Sequence, residues 1–592
     1  MRKFHKLIST VLATAMVMSL LAGCGSGGNA DSASDAGDGA DAAQEGTASA
    51  GTDAAESDAE DSSKPVLDAV AENVQTEVVS AVAQPAESMT IAIPSASFDV
   101  APFVGPMPGT GPFTWLLWAK LFFPTSTAAT FENGGMQPWV GKELKKIDDA
   151  TYEVEIFDNV YDSQGNHITA DDVVFSYEKS ATDGQFADLQ SVMESITKID
   201  DYNLEIKLKD TMVGRIEEIL SNVQLFIVDQ EWYESTSADE RQSNPATTGA
   251  YKVQEVVQGS SLTLVRNEEP WQTEPTCTPQ VANVNTLYYR VITEGSMRAI
   301  GLENKELDSS EIAGTDLSKF YDEAAGKPLD GWSIFYTPPV NVQCLFANMD
   351  SGVSILADSL ELRQAVFAAL DSVEIYYGAG LNEITAIKTN ALSAPSMGGY
   401  EEIADEGYLP ADLEAAKAYF EASGYPQGTE ITLLSSQSLY TDSVRSVIIA
   451  QLEAIGFTVN SLAVDQALFL TYKNDSTQWD LIIDSKGSGT GHVVGLWDGL
   501  FNPENYTNGS VCFTHDDHLV ELLNAAKADA SAENMKAFND YIRDNAIGKG
   551  LYSFSKIVVA QDGVTELPMA NPTLPLYGPC TITDDYVSVV GN

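Results

Sequence analysis

Basic residues are scarce in this chain. Lysine and arginine number 32 among 592 residues, against 86 aspartates and glutamates, and the formal net charge is −54. A surface of that sign repels nucleic acid and anionic lipid headgroups, so neither is expected as a partner. Histidine is rarer still, with five residues, one of them (His5) beside the basic start of the chain. A hidden Ser-His-Asp site therefore has little to stand on. There is no Gly-x-Ser-x-Gly elbow. There is no Walker loop either, since the glycine-rich stretch Gly487 to Gly491 lacks a closing Lys-Ser/Thr. Cysteine is sparse, and no two of Cys24, Cys277, Cys344, Cys512 and Cys580 stand at metal-ligand spacing. The last four are equally open to pairing and to staying buried thiols. The apolar run from about Leu7 to Leu20 is too short, and too rich in Ser, Thr and Ala, to span a bilayer comfortably. No internal repeat is found. These absences point away from an enzyme and give no sign of a cofactor or a metal.

What is present begins at the N-terminus. Arg2, Lys3 and Lys6 precede the apolar run, and Leu21-Ala22-Gly23-Cys24 follows it, with Gly25 next. Charge, apolar segment and small residues at a cut site make a secretory signal, expected over residues 1–23. The closing cysteine resembles the lipobox of bacterial lipoproteins. That resemblance implies lipidation of Cys24 and attachment at the extracellular face of the bacterial cell membrane through the lipid anchor alone.

Residues 25 to 64 are almost only Gly, Ala, Ser, Asp, Glu and Thr, with no apolar side chain larger than alanine. Such a stretch has nothing to bury and reads as a flexible acidic tether, with a mean reach of roughly 35 Å. Val66, Val70, Val74, Val78 and Val82 recur every four residues, a spacing that suits one helical stripe, so 24–87 reads as lipidated cysteine, tether and spacer. Folded structure is expected from Ser88. Thr90 to Ile93 reads as a strand; Tyr152, Val154 and Ile156, then Tyr202, Leu204, Ile206 and Leu208, alternate with polar residues as half-buried strands do. Thr169 and Asp172 have capping-box spacing at a helix start. The helices through Leu413–Phe420 and Val444–Leu452 meet stops at Gly424 and Gly456, each followed by a strand-like run. Interleaved strands and helices predict a mixed α/β fold.

Several segments, taken in order, resemble one family: the peptide-binding class (family 5; oligopeptide, dipeptide and nickel binders) of extracellular solute-binding proteins of ABC importers. Between Pro138 and Lys179, Thr151-Tyr152-Glu153-Val154 resembles a family strand, Tyr161-Asp162-Ser163-Gln164-Gly165 its turn, and Ile168 to Tyr177 its signature helix. Asn244 to Lys252 with Arg266-Asn267 and Trp271 is a second match. Asn348, Leu362-Arg363-Gln364-Ala365 and Asp371 form a third, and Ala422-Ser423-Gly424-Tyr425-Pro426 a fourth. The resemblance implies a two-lobed periplasmic-binding-protein-like α/β fold with a hinge. The first lobe would cover 88–336, with an extra subdomain at about 125–242. The second would cover 337–550, and 551–592 would return to the first. It implies capture of a peptide or peptide-like solute between the lobes, and an ABC permease with its ATPase subunit as partners. A non-peptide solute, or a surface sensor or adhesin on the same fold, is the alternative.

In peptide binders of this class an aspartate in a cleft-crossing loop pairs with the peptide's α-ammonium. Here Trp479 to Asp484 resembles the strand before that loop, but the loop reads Ser485-Lys486-Gly487-Ser488-Gly489-Thr490-Gly491-His492, without an aspartate, and Lys486 stands where a tryptophan is usual. Either Asp484 or Asp498 takes the role, or the ligand lacks a free α-amine and Lys486 meets a carboxylate beside a glycine-rich backbone; a solvated lysine on a surface loop is the bland alternative. The ligand-site candidates are Phe98, Asp484, Lys486, Gly487, Ser488 and Trp497. His515-Asp516-Asp517-His518 has the look of a metal cluster. It reads better as a helix start capped by Thr514 and Asp517, with acidic side chains in the first turn.

Overall fold

The computed structural model describes residues 78–590 except 95–97, 104–112, 125–135, 149, 183–188, 190–192, 210–215, 217–219, 221–224, 338, 340, 383–384, 401–402, 404–410, 437–441, 488–491 and 571–573. The signal segment, Cys24, the tether and Ser488 thus lie outside the described residues. All that follows belongs to one unit, Asp61–Asn592.

The chain enters the first sheet through β1 (Ala86–Ile93), which carries Met89, Ile91 and Ile93 into the core. The residues just before it are not helical. Val78 to Gln84 run as irregular chain, and the Val82 amide donates to Asn283 Oδ1 at 2.9 Å. The valine stripe therefore does not continue as a helix into its last members; a side chain about 200 residues away satisfies the backbone instead.

A separate antiparallel sheet follows: β2 (Gly141–Lys146), β3 (Thr151–Ile156), β4 (Met193–Asp200) and β5 (Asn203–Leu208), in the order β2-β3-β5-β4. Tyr152, Val154 and Ile156 face inward, as their alternation predicts. Helix α1 (Ala170–Thr182) packs on this sheet. Asp172 reaches back to the Thr169 amide at 2.7 Å, and the Thr169 hydroxyl donates to the same carboxylate at 3.0 Å. One half of the expected capping box is therefore made, while the hydroxyl serves the aspartate rather than the helix.

The chain then returns to the first sheet with β6 (Tyr251–Val257), β7 (Ser261–Arg266), β8 (Val284–Val291), β9 (Ser309–Ile312) and β10 (Trp332–Tyr336). The turn before β6 needs Gly249, because a Cβ there would lie 2.3 Å from the Leu116 carbonyl oxygen.

After β10 the chain crosses to a second sheet made of β11 (Asn341–Ala347), β12 (Ala386–Lys388), β13 (Thr429–Ser436), β14 (Phe457–Val464), β15 (Leu481–Gly487) and β16 (Gly548–Phe554). Its order is β12-β16-β11-β15-β13-β14. Helices α2 (Leu360–Ala369), α3 (Leu413–Ala422) and α4 (Asp442–Glu453) lie over one face. Helices α5 (Gln466–Tyr472), α6 (Val493–Phe501), α7 (Asp517–Ala528) and α8 (Ala532–Asp544) lie over the other. Gly424 and Gly456 sit at φ +74° and +121°, the left-handed backbone that ends α3 and the stretch after α4. Phe554 still pairs with Ala386, so the chain leaves the second sheet after Phe554, a few residues beyond 550. It then enters the first sheet as β17 (Ile557–Gln561), between β9 and β10, giving the order β10-β17-β9-β1-β8-β7-β6.

Two crossings, 337–340 and 555–556, thus join two α/β lobes, each with its own core. They are tied to each other. The Thr337 amide donates to Lys556 O, and the Lys556 amide donates to Thr337 Oγ1, both at 3.0 Å. Ser553 Oγ donates to Pro339 O at 3.1 Å and to Asn341 O at 2.6 Å. Cys277, Cys344, Cys512 and Cys580 are free and buried. Among the described residues no helix is long and apolar enough to cross a membrane.

Candidate functional site

Parallel strands place their carboxyl ends on one edge of a sheet, and open α/β folds bind ligands outside that edge. In the second sheet β13 runs parallel to β14 and to β15. The last residue of β15, Gly487, lies opposite Asn341, the first residue after the crossing. In the first sheet β1 runs parallel to β8 and β9, and Ile312, the last residue of β9, lies opposite Ile557, the first residue after the return crossing. The carboxyl edges of both sheets therefore converge on the same two crossings. That is the geometry of a crevice between lobes that close about a hinge.

On β15 the period of two sends Ile482, Asp484 and Lys486 to one face, over the core that holds Cys344 and Trp479. Asp484 is 4% exposed. Its Oδ2 receives Lys486 Nζ at 2.7 Å and Lys473 Nζ at 3.4 Å, the second from the residue that follows α5. Tyr506 lies close enough to act on both charges. Burial lowers the Lys473 pKa, with Asp484 opposing the shift and Lys486 adding to it. Burial also acts to lower Lys486, but the attraction of Asp484 is part of a larger opposing sum, and the lysine ends above its ordinary value. Burial drives the Tyr506 hydroxyl and the Cys344 thiol upward, so both stay neutral near pH 7. Lys486 is next to last in its strand and stands at the crevice edge, with Asp484 and Lys473 behind it.

Of the residues singled out in the sequence, Asp484, Lys486 and Gly487 come together here, Gly487 exposed at the strand end. Ser488 lies outside the described residues. Phe98 and Trp497 are elsewhere. Phe98 is fully buried in the first lobe, 5.7 Å from the Phe113 ring. Trp497 is buried in the second, stacked on Phe538 at 4.6 Å, with its indole N–H on Leu392 O at 3.1 Å. Asp498 is engaged by Lys527 at 2.6 Å and by Asn502 at 3.0 Å. Further on, His492 Nδ1 accepts the Val494 amide at 3.2 Å and starts α6. Lys473 and Tyr506 escaped the sequence reading: one follows a short helix, the other a 3₁₀ turn, and neither carries a motif. Among the described residues no three acidic, histidine or cysteine side chains gather as a metal site.

Comparison with known proteins fits this architecture. The description of bacterial extracellular solute-binding proteins, family 5 (middle), matches residues 135–508, more than half of the chain. The chain belongs to this family. A curated relative, the oligopeptide-binding protein AppA of Bacillus subtilis (strain 168), is 23% identical over 192 residues, covering 30% of this chain and 33% of the relative. The nickel-binding protein NikA of Staphylococcus aureus is 22% identical over 222 residues, covering 38% of this chain and 40% of NikA. The chain thus aligns with a third to two fifths of the length of these curated relatives.

Among solved structures, the periplasmic binding protein DppA of Helicobacter pylori, in complex with the peptide STSA, superposes with a TM-score of 0.67 at 16% identity. The match covers 84% of this chain and 98% of DppA. The binding protein MoaA of A. tumefaciens R10, in complex with mannopinic acid, gives 0.67 at 17% identity over 85% and 100%. These likenesses establish the two-lobed fold for this family 5 chain.

Proposed function

We propose that this family 5 protein is the lipid-anchored, extracellular substrate-binding component of an ABC transporter. Cys24 carries the lipid, and the acidic segment after it lets the lobes reach a neighbouring permease, whose ATPase subunit drives import. A peptide or peptide-like solute enters the crevice, touches both lobes and stabilises the closed form. Ligand thereby shifts a hinge equilibrium without any covalent step. The observation that carries this reading is the convergence of both carboxyl edges on the two tied crossings between Tyr336 and Asn341 and between Phe554 and Ile557. The family match supports the transport role, and the peptide complex of DppA supports the ligand class.

One observation favours a second ligand class. Asp484 is already bound by two lysines, so it is not available to an α-ammonium, and the same fold in MoaA is seen with mannopinic acid. A peptide-like acid without a free amine suits the site as well as an ordinary peptide.

Thermal unfolding of the purified protein against panels of peptides, amino acids, sugars and metal chelates tests the proposal. A solute present at 100 times its Kd and bound only by the native state adds about 2.7 kcal/mol. A clear rise in melting temperature with one solute class is expected. No rise with any class would sink the reading.

A further inference from the structure

The locus around Asp484 runs against the composition of the whole chain. Acidic residues outnumber Lys and Arg by 86 to 32, yet here two lysines share one carboxylate oxygen. With both lysines charged the group carries a residual +1. The side chains of Lys473 and Lys486 are only 14% and 16% exposed. A charge with so little water around it is unstable without a counter-charge. Among the described residues the neighbours named here supply none. Tyr506 and Cys344 are held neutral by burial, and the loop that follows Gly487 reads Ser488-Gly489-Thr490-Gly491, with no acid. The nearest aspartate downstream, Asp498, is taken by Lys527.

We infer that the crevice holds an anion subsite: Lys486, with Lys473 behind it across Asp484, receives a carboxylate-class group of the captured solute. This rests on the reading that the crevice captures a solute. Asp484 orients the two ammonium groups, in the way a charged acceptor fixes the geometry of its donors. A carboxylate at Lys486 supplies the missing counter-charge. The usual polarity of a peptide site, an acid that meets an amine, is thereby reversed at this edge.

Matched pairs test it by thermal shift and calorimetric titration: tri-alanine and its C-terminal amide, N-acetyl-tri-alanine and its amide, and gluconate and glucose. In at least one pair the anion is expected to bind roughly tenfold to a hundredfold more tightly than its neutral partner, the range of a charge-assisted hydrogen bond. Lys486→Met is expected to erase that preference and Lys486→Arg to keep most of it, which separates the charge from mere packing. Lys473→Met should reduce it by a smaller factor. Neutral members that bind as tightly as the acids would overturn the anion subsite while leaving solute capture standing. A preference for acids that survives Lys486→Met and Lys473→Met would also overturn it, by placing the anion elsewhere. Absence of binding by every probe would remove both the subsite and the capture reading beneath it.

Discussion

Lys549 shows how much a single side chain is asked to bear. It is 1% exposed on β16, and its Nζ donates to Phe367 O at 3.2 Å and to Leu370 O at 3.0 Å, the carbonyls where α2 ends. A cation there complements the helix dipole, but burial still lowers its pKa to about 8, with Lys388 adding and Asp371 opposing. In the unfolded chain the same lysine titrates near 10.4. Between those values the unfolded chain binds more protons than the native one, so this lysine makes stability rise as pH rises from about 8 to about 10.4. Urea unfolding of wild type and Lys549→Met across that window should show a difference that shifts by roughly 3 kcal/mol in favour of wild type at the high end. A flat difference would mean that the lysine is solvated. Asp308 is another buried polar side chain, and it accepts the Thr90 and Val589 amides at 2.7 and 2.8 Å and the Ser588 hydroxyl at 2.7 Å.

At the scale of elements, the start of α7 keeps the expected helix start but moves its cap by two residues. The spacing of Thr514 and Asp517 suggests a capping box, yet the helix begins at Asp517, and Asp516 caps it. Asp516 Oδ1 accepts the His518 and Leu519 amides at 3.0 and 3.1 Å, and Oδ2 accepts the Tyr541 hydroxyl at 2.6 Å. The Thr514 hydroxyl has no partner. Asp516→Ala should therefore cost about 1 kcal/mol or more, while Thr514→Val should stay within about 0.5 kcal/mol of wild type in the same denaturation experiment.

The pattern is general in this chain. Local signals were legible: alternation gave β3 and β5, and glycine stops gave the ends of α3 and α4. What distant residues decide was not. Val82 is held by Asn283, whose side-chain amide also donates to Cys580 O at 3.1 Å, and no local rule announces such a bond. The candidate site divides in the same way. Asp484 and Lys486 share a strand face by a spacing of two, which the sequence displays. Lys473 joins them only through the fold, and Phe98 and Trp497, plausible as aromatics beside a cleft, fill cores instead.

At the scale of the whole molecule, apolar burial is divided. The first lobe packs around Trp115, Trp118, Trp139 and Tyr251, and the second sheet carries one core on each face. The first sheet carries a smaller core on its other face, around Leu302, Phe320 and Val559, and the second lobe adds Ile387 of β12 to it; two short crossings join the lobes. Cores joined so sparingly need not melt together. Scanning calorimetry of the ligand-free protein should resolve two overlapping transitions, and a solute that bridges the lobes should draw them into one while raising the midpoint. A single symmetrical transition in the ligand-free protein, with equal calorimetric and van't Hoff enthalpies, would show that the lobes are tightly coupled.

The position of β17 bears on how the protein is made. Residues 557–561 lie between β9 and β10, pairing Ser309–Ile312 on one side and Trp332–Tyr336 on the other. During synthesis or export from the N-terminus, β9 and β10 emerge more than 200 residues before the strand that joins them. Until then the first sheet carries an open slot with unpaired backbone groups on both walls, the kind of edge that recruits foreign strands. The second lobe, continuous from Asn341 to Phe554, has every one of its strands before that slot is filled. The lobe that begins first is thus the one completed last, and the slot needs protection for as long as the second lobe is being made.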